Sequence, residues 1–163
     1  MLKMIACEFL KIKRYNVLWF AIFSVIFSTI LAGYQSGQYS SFEDYSNNVL
    51  WNNFSLFFPF TIVLIGGYLI NREYTDNTLK NIVSVPISLK RFFFSKLCTT
   101  AILTIFFSLL SFICTVVVGI VVLHATKITL MIVLLSLIQM IILGICIFLS
   151  VSPLIILFTR KQG

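Results

Sequence analysis

The run Ile128-Thr129-Leu130-Met131-Ile132-Val133-Leu134-Leu135-Ser136-Leu137-Ile138-Gln139-Met140-Ile141-Ile142-Leu143-Gly144-Ile145-Cys146-Ile147-Phe148-Leu149-Ser150 decides the fold class. An α-helix rises about 1.5 Å per residue, so about 20 apolar residues cross the hydrocarbon core of a bilayer. Fifteen residues of this run are Ile, Leu, Val or Phe. Each favours insertion by about 0.3–0.6 kcal/mol, so the single Gln139 cannot hold the segment out of the membrane.

Three further stretches have the same character: Val17–Tyr34, Val49–Ile70, whose densest part starts at Phe54, and Leu97–Leu123. Asn52, Asn53 and Pro59 dilute the second of them. Hydrophobic residues make up 60% of the 163, charged ones only 10%, and 17 are phenylalanine. A water-soluble domain of this size cannot cover so much apolar surface, so lipid is the solvent for most of the chain. The sequence therefore predicts an all-α membrane protein, a single membrane domain over residues 1–163 with four transmembrane helices. Basic Lys11, Lys13 and Arg14 precede the first run in the manner of a signal peptide. That run is too long for a signal core, and Tyr34-Gln35-Ser36 is not a small-x-small cleavage site, so it is expected to remain in the mature protein.

Orientation follows from the basic residues, which are held on the cytoplasmic side. Lys3, Lys11, Lys13 and Arg14 precede the first run, Arg72, Lys80, Lys90, Arg91 and Lys96 lie between the second and third, and Arg160 and Lys161 follow the fourth. The Tyr34–Asn48 loop carries only Glu43 and Asp44, and the turn around His124 only Lys127. Eleven of twelve basic residues thus sort to one side, which places both termini in the cytoplasm. The net charge of +7 belongs to this sorting and not to a nucleic-acid face, because no run outside the spans is basic and aromatic enough to make one.

Apolar residues continue past Ser150 through Pro153 to Phe158. Proline lacks an amide donor and leaves the Leu149 carbonyl without its helical partner, so a kink or helix end is expected there. Residues 1–16 set Leu2, Ile5, Phe9 and Ile12 on one helical face, with Lys3, Glu8, Lys11 and Lys13 on the others. This predicts an amphipathic helix on the cytoplasmic membrane surface, serving either as a positive-inside anchor or as an elbow that transmits motion. Ser24, Ser28 and Ala32 recur every four residues in the first span and line a small face for close helix packing, within the subunit or between subunits. Gly66-Gly67 reads as close packing or a local bend. Cys7, Cys98, Cys114 and Cys146 show no paired spacing and read as small apolar packers.

The segment from Asn71 to Arg91 is the most informative for function. Asp76 or Asn77 can cap a short helix whose apolar positions are Leu79, Ile82 and Val83. Pro86 ends that helix, because the residue before proline is driven from the α region, and Ser88 can cap the next. A short cytoplasmic helix between two bends is the expected result, with a merely solvated loop the alternative that composition alone leaves open.

Here the chain resembles the type-2 ABC exporter permeases. The resemblance rests on Glu73, Asn77-Thr78-x-Lys80, Pro86-Ile87-Ser88 and Lys96, and on Glu8-Phe9-x-Lys11-x-Lys13-Arg14 before an aromatic-rich first span. The chain is most similar to the small permeases of bacterial lantibiotic and peptide-antibiotic self-protection systems, where the helix between spans two and three docks into a groove of the ATPase. The resemblance implies that Glu73, Asp76, Asn77, Thr78, Leu79, Lys80 and Ile82 form the coupling surface, with Pro86 the bend behind it. It also implies a bacterial plasma-membrane location, a separate ABC ATPase that binds ATP and magnesium, a second permease subunit, and a role in antibiotic resistance or immunity. Members of that family commonly have glycine where Asn77 stands, and asparagine also tolerates positive φ. They commonly have six spans, so four imply a short form or a fragment whose remaining hairpin is supplied elsewhere.

No phosphate-binding loop is present, since no glycine immediately precedes any lysine, so hydrolysis is expected in a partner. His124 has no acid or cysteine beside it and reads as a solvated turn residue. No cofactor, metal or catalytic residue is expected in this chain. The predicted spans contain no Asp, Glu, Lys or Arg, which argues against an ion-coupled carrier and favours an amphipathic or peptide cargo. The alternative reading is a non-transporting immunity or assembly protein that acts by binding.

Overall fold

The computed structural model of the chain describes residues 8, 9, 12, 16–37, 41–75, 89–122 and 128–160. It contains helices and, among the described residues, no β-strand. Helix α1 is Val17–Ser36. Helix α2, Phe42–Asn52, runs through a π-helical turn at Asn53–Phe57 into α3, Phe58–Thr75. Helix α4 spans Leu89–Val117 and closes in a second π-helical turn at Val118–Val122, and α5 spans Leu130–Arg160. Four of these helical runs are long and apolar enough to cross a membrane: Val17–Ser36, Phe42–Leu69, Phe94–Val121 and Leu130–Leu154.

The α2–α3 run is antiparallel to both α1 and α4. Tyr45 meets Thr29 and Thr61 meets Ser24 along the first pair. Gly119 lies against Phe42, Asn53 against Ser111 and Lys96 against Leu69 along the second. Helix α4 packs on α1, α3 and α5, which puts it at the middle of the bundle. The core around it gathers Val25, Val49, Phe58, Ile62, Leu103, Phe107 and Met140.

One expectation changes and another is narrowed. The second span starts at Phe42 rather than Val49, and the acidic residues read as loop are its first turn. Ser41 caps this helix, its hydroxyl oxygen accepting from the Asp44 amide at 3.2 Å. Glu43 and Asp44 there lie at the positive end of the helix dipole. The fully buried Phe42, Tyr45 and Val49 then extend the apolar seam outward. At the other end of the chain, of the kink or helix end expected at Pro153 the structure excludes the helix end, since α5 continues to Arg160. The Ser152 hydroxyl donates to the Leu149 carbonyl at 2.9 Å and so supplies the hydrogen bond that proline cannot. Close packing does not account for Gly67, where an added Cβ would meet nothing within 4 Å.

Candidate functional site

Helices α3 and α4 are the two roots of the connector formed by residues 76–88. Lys96 lies seven residues into α4, about two helical turns from its start. Its ammonium stands 3.3 Å from Glu8 Oε2 and donates to the Leu69 carbonyl at 2.9 Å. Both side chains of the ion pair are buried, at 3% and 6% exposure. Lys96 is drawn inward because it shares the buried side of α4 with Ser95, Thr99 and Thr100. Charges removed from water to this degree persist only when paired and hydrogen-bonded, and here both conditions are met. One cation thus joins the amino-terminal segment, α3 and α4 at the connector end of the bundle.

This arrangement corrects the sequence reading twice. Lys96 is not an anchor outside the third span: the apolar helical window opens at Phe94 and includes it. Glu8, assigned to a polar face of the amino-terminal helix, is 4% exposed, and Ile12 one turn later is buried at 3%. Phe9 packs against the same core. The rest of residues 1–15 lies outside the described residues, as does the interfacial placement expected for them.

Of the expected coupling residues, Glu73 stands in the last turn of α3. Asp76, Asn77, Thr78, Leu79, Lys80, Ile82 and Pro86 lie outside the described residues. Ser24, Ser28 and Ala32 are all buried inside the chain. The Thr61 hydroxyl donates to Ser24 Oγ at 3.4 Å, and Ser28 donates to its own Val25 carbonyl at 2.9 Å.

The buried face of α4 carries a hydroxyl seam that the sequence reading missed. Thr100, Thr104, Ser108, Ser111 and Thr115 are each 2% exposed or less, at spacings of four, four, three and four. Thr100, Thr104 and Thr115 bond carbonyls one turn back at 2.8 Å, which satisfies the hydroxyls within their own helix and lets neighbours approach. Ser108 instead crosses to α5, donating to the Met140 carbonyl at 2.7 Å. Asn53 crosses from the first π turn, its Nδ2 donating to Ser111 Oγ at 2.6 Å.

A lateral groove of about 320 Å³ opens between α2 and α5. Leu50, Trp51, Phe54, Leu143 and Ile147 wall it, and Asn47 and Ser55 are its polar residues. Among the described residues no group of three His, Cys, Asp or Glu side chains could hold a metal ion. Cys98, Cys114 and Cys146 carry free thiols.

Between Asp44 and Lys96, at the two ends of the bundle, the described spans hold no Asp, Glu, Lys or Arg. A family model described as ABC-2 family transporter protein matches residues 4–163. No curated protein and no solved structure matches the chain. With nearly its whole length covered by that model, and four helices able to span a membrane, the chain belongs to the ABC-2 family of transporter proteins.

Proposed function

We propose that this chain is the membrane subunit of an ATP-driven exporter that expels a peptide antibiotic or another amphipathic compound. Family membership makes it a multi-pass permease subunit of an ABC transporter, which works with a partner ATPase. The finer parts of the proposal are the cargo, the outward direction, a second permease chain and a bacterial plasma membrane with both termini inside.

The observation that carries the reading is the distribution of charge. Away from Glu43 and Asp44 at one end and the paired Lys96 at the other, the described spans hold uncharged polar and apolar groups, with no further acidic or basic side chain through which an ion gradient could do work at membrane depth. Driving force must then enter at an end of the bundle, and the buried Glu8–Lys96 pair lies at the connector end. The groove between α2 and α5, apolar with two polar residues, suits a molecule with one greasy and one polar part.

The test is efflux under separated energy sources. Cells expressing the transporter are loaded with a fluorescent cationic amphipathic peptide, and the proton gradient is collapsed while ATP is held constant. Efflux should continue at close to its starting rate. Prompt loss of efflux would mark an ion-coupled carrier, and no efflux under either condition would favour a protein that acts by binding.

A further inference from the structure

We infer that the exposed side of α5 is an interface with a second copy of this chain, centred on Gln139 facing Gln139. The inference deepens the second permease chain of the proposed function and rests on that reading, naming both the chain and the surface.

Helix α5 is the span least used inside the chain: 17% of its Leu130–Leu154 stretch is buried, against 33% to 44% of the other three. Ser136, Met140, Gly144 and Val151 turn inward. On the side away from them, Leu135, Gln139, Ile142, Cys146 and Leu149 are all exposed. Their spacing of four, three, four and three is the heptad spacing by which two helices pack as a left-handed pair.

An apolar row of that period could simply face lipid, and Gln139 separates the two cases. It stands three residues from Ile142, the midpoint of the Leu130–Leu154 span, and therefore within about 5 Å of the bilayer centre. Its side-chain amide meets no hydrogen-bond partner among the described residues. Hydrocarbon offers neither donor nor acceptor, so an amide left facing it carries its full desolvation cost, whereas across a helix pair the same group becomes an attraction. A single polar residue in a heptad row is also what fixes the register between paired helices.

Symmetry names the partner. The same sequence inserts with one topology, so a twofold axis along the membrane normal sets two α5 helices parallel, with each residue opposite itself at one depth. A carboxamide carries both donor and acceptor, so two facing glutamines satisfy each other, Nε2 of each donating to Oε1 of the other. The row has no charged side chain that would need an opposite charge across it. Cys146, exposed and seven residues after Gln139, repeats its place in the heptad and so faces the partner's Cys146.

The experiment uses the full chain expressed with its ATPase, with Cys146 its single cysteine, oxidised in membranes by copper phenanthroline. A disulfide-linked dimer should form and revert with reductant. A chain whose single cysteine is Phe23→Cys, on the exposed aromatic face of α1, should stay monomeric on the gel. Gln139→Leu should weaken association about ten-fold, read as the dimer fraction on dilution into lipid vesicles, and Gln139→Asn should retain most of it. Leucine suits a span and position 139 is exposed, so neither change disturbs the fold of the single chain. Linking from Phe23→Cys equal to or greater than that from Cys146 overturns the interface, as does a Gln139→Leu chain that associates as tightly as its parent. The native mass of the purified complex separates the two failures. Two copies without a Cys146 link, or this chain beside a different permease chain, overturn the α5 interface and leave the reading of two permease chains standing. One permease chain per complex removes that reading along with the interface.

Discussion

Asn53 and Ser111 meet in the fully buried middle of the bundle, amide nitrogen to hydroxyl oxygen at 2.6 Å, while Asn53 Oδ1 faces no hydrogen-bond partner. Turning the amide over would exchange the roles and leave its nitrogen unpaired instead, so one end is unsatisfied in either orientation. The residue opens a π-helical turn, where the hydrogen-bond ladder is already widened. This is where span two gives up local stability.

Removing the unsatisfied group should strengthen the helix pair. Asn53→Leu keeps the volume and ends the desolvation penalty, which is about 1–3 kcal/mol for a buried unpaired polar group. Ser111 loses a donor but can turn its hydroxyl to a carbonyl one turn back, as Thr115 does. Thermal denaturation in detergent should show a rise of several degrees. A fall of the same size would mean that the oxygen is satisfied by water in the membrane.

The Ser152–Leu149 bond predicts a non-additive pair. Ser152→Ala alone strands the Leu149 carbonyl beside Pro153 and should destabilise by about 1–3 kcal/mol. In a Pro153→Ala background the helix amide returns to that carbonyl, and the same serine change should cost about 0.5 kcal/mol or less. A double-mutant cycle in detergent measures both values. Equal costs in the two backgrounds would show that Ser152 does not stand in for the missing donor.

The four apolar runs were legible because hydropathy over about 20 residues integrates many small terms of one sign. Their ends were not, because they depend on single hydrogen bonds. Ser41 with Asp44 is an N-terminal capping pattern readable in principle, but two adjacent acids in a polar stretch fit a loop equally well. Ser152 before Pro153 is equally local, yet a serine's hydroxyl can turn to several acceptors and sequence does not choose among them. The α4 seam was readable from its spacing of hydroxyl residues. Glu8 and Lys96 were not readable as partners, since they stand 88 positions apart and no local period links them. Only the fold brings the amino-terminal segment against the base of α4.

The sorting of basic residues predicts topology. Single cysteines at Ser41, Asn81 and Gln162 in a cysteine-free background should label differently with an impermeant thiol reagent applied to intact cells. Position 41 should react, and positions 81 and 162 should react only after permeabilisation. Labelling of position 81 from outside would reverse the assignment and remove the connector from the reach of an ATPase.

The central claim is that the connector, rather than any residue within the spans, meets the ATPase. Leu79 and Ile82 are apolar positions three apart, bounded by Asp76 and Asn77 on one side and Pro86 on the other. Changing both to Asp should cost several kcal/mol in a protein groove, because unpaired charge buried at an interface is expensive, and should leave the spans free to insert. The most direct measurement is co-purification of the ATPase with the Leu79→Asp, Ile82→Asp permease from membranes, scored against the membrane level of the permease. The account predicts normal permease levels with the ATPase lost. Full retention of the ATPase at normal permease levels would contradict it.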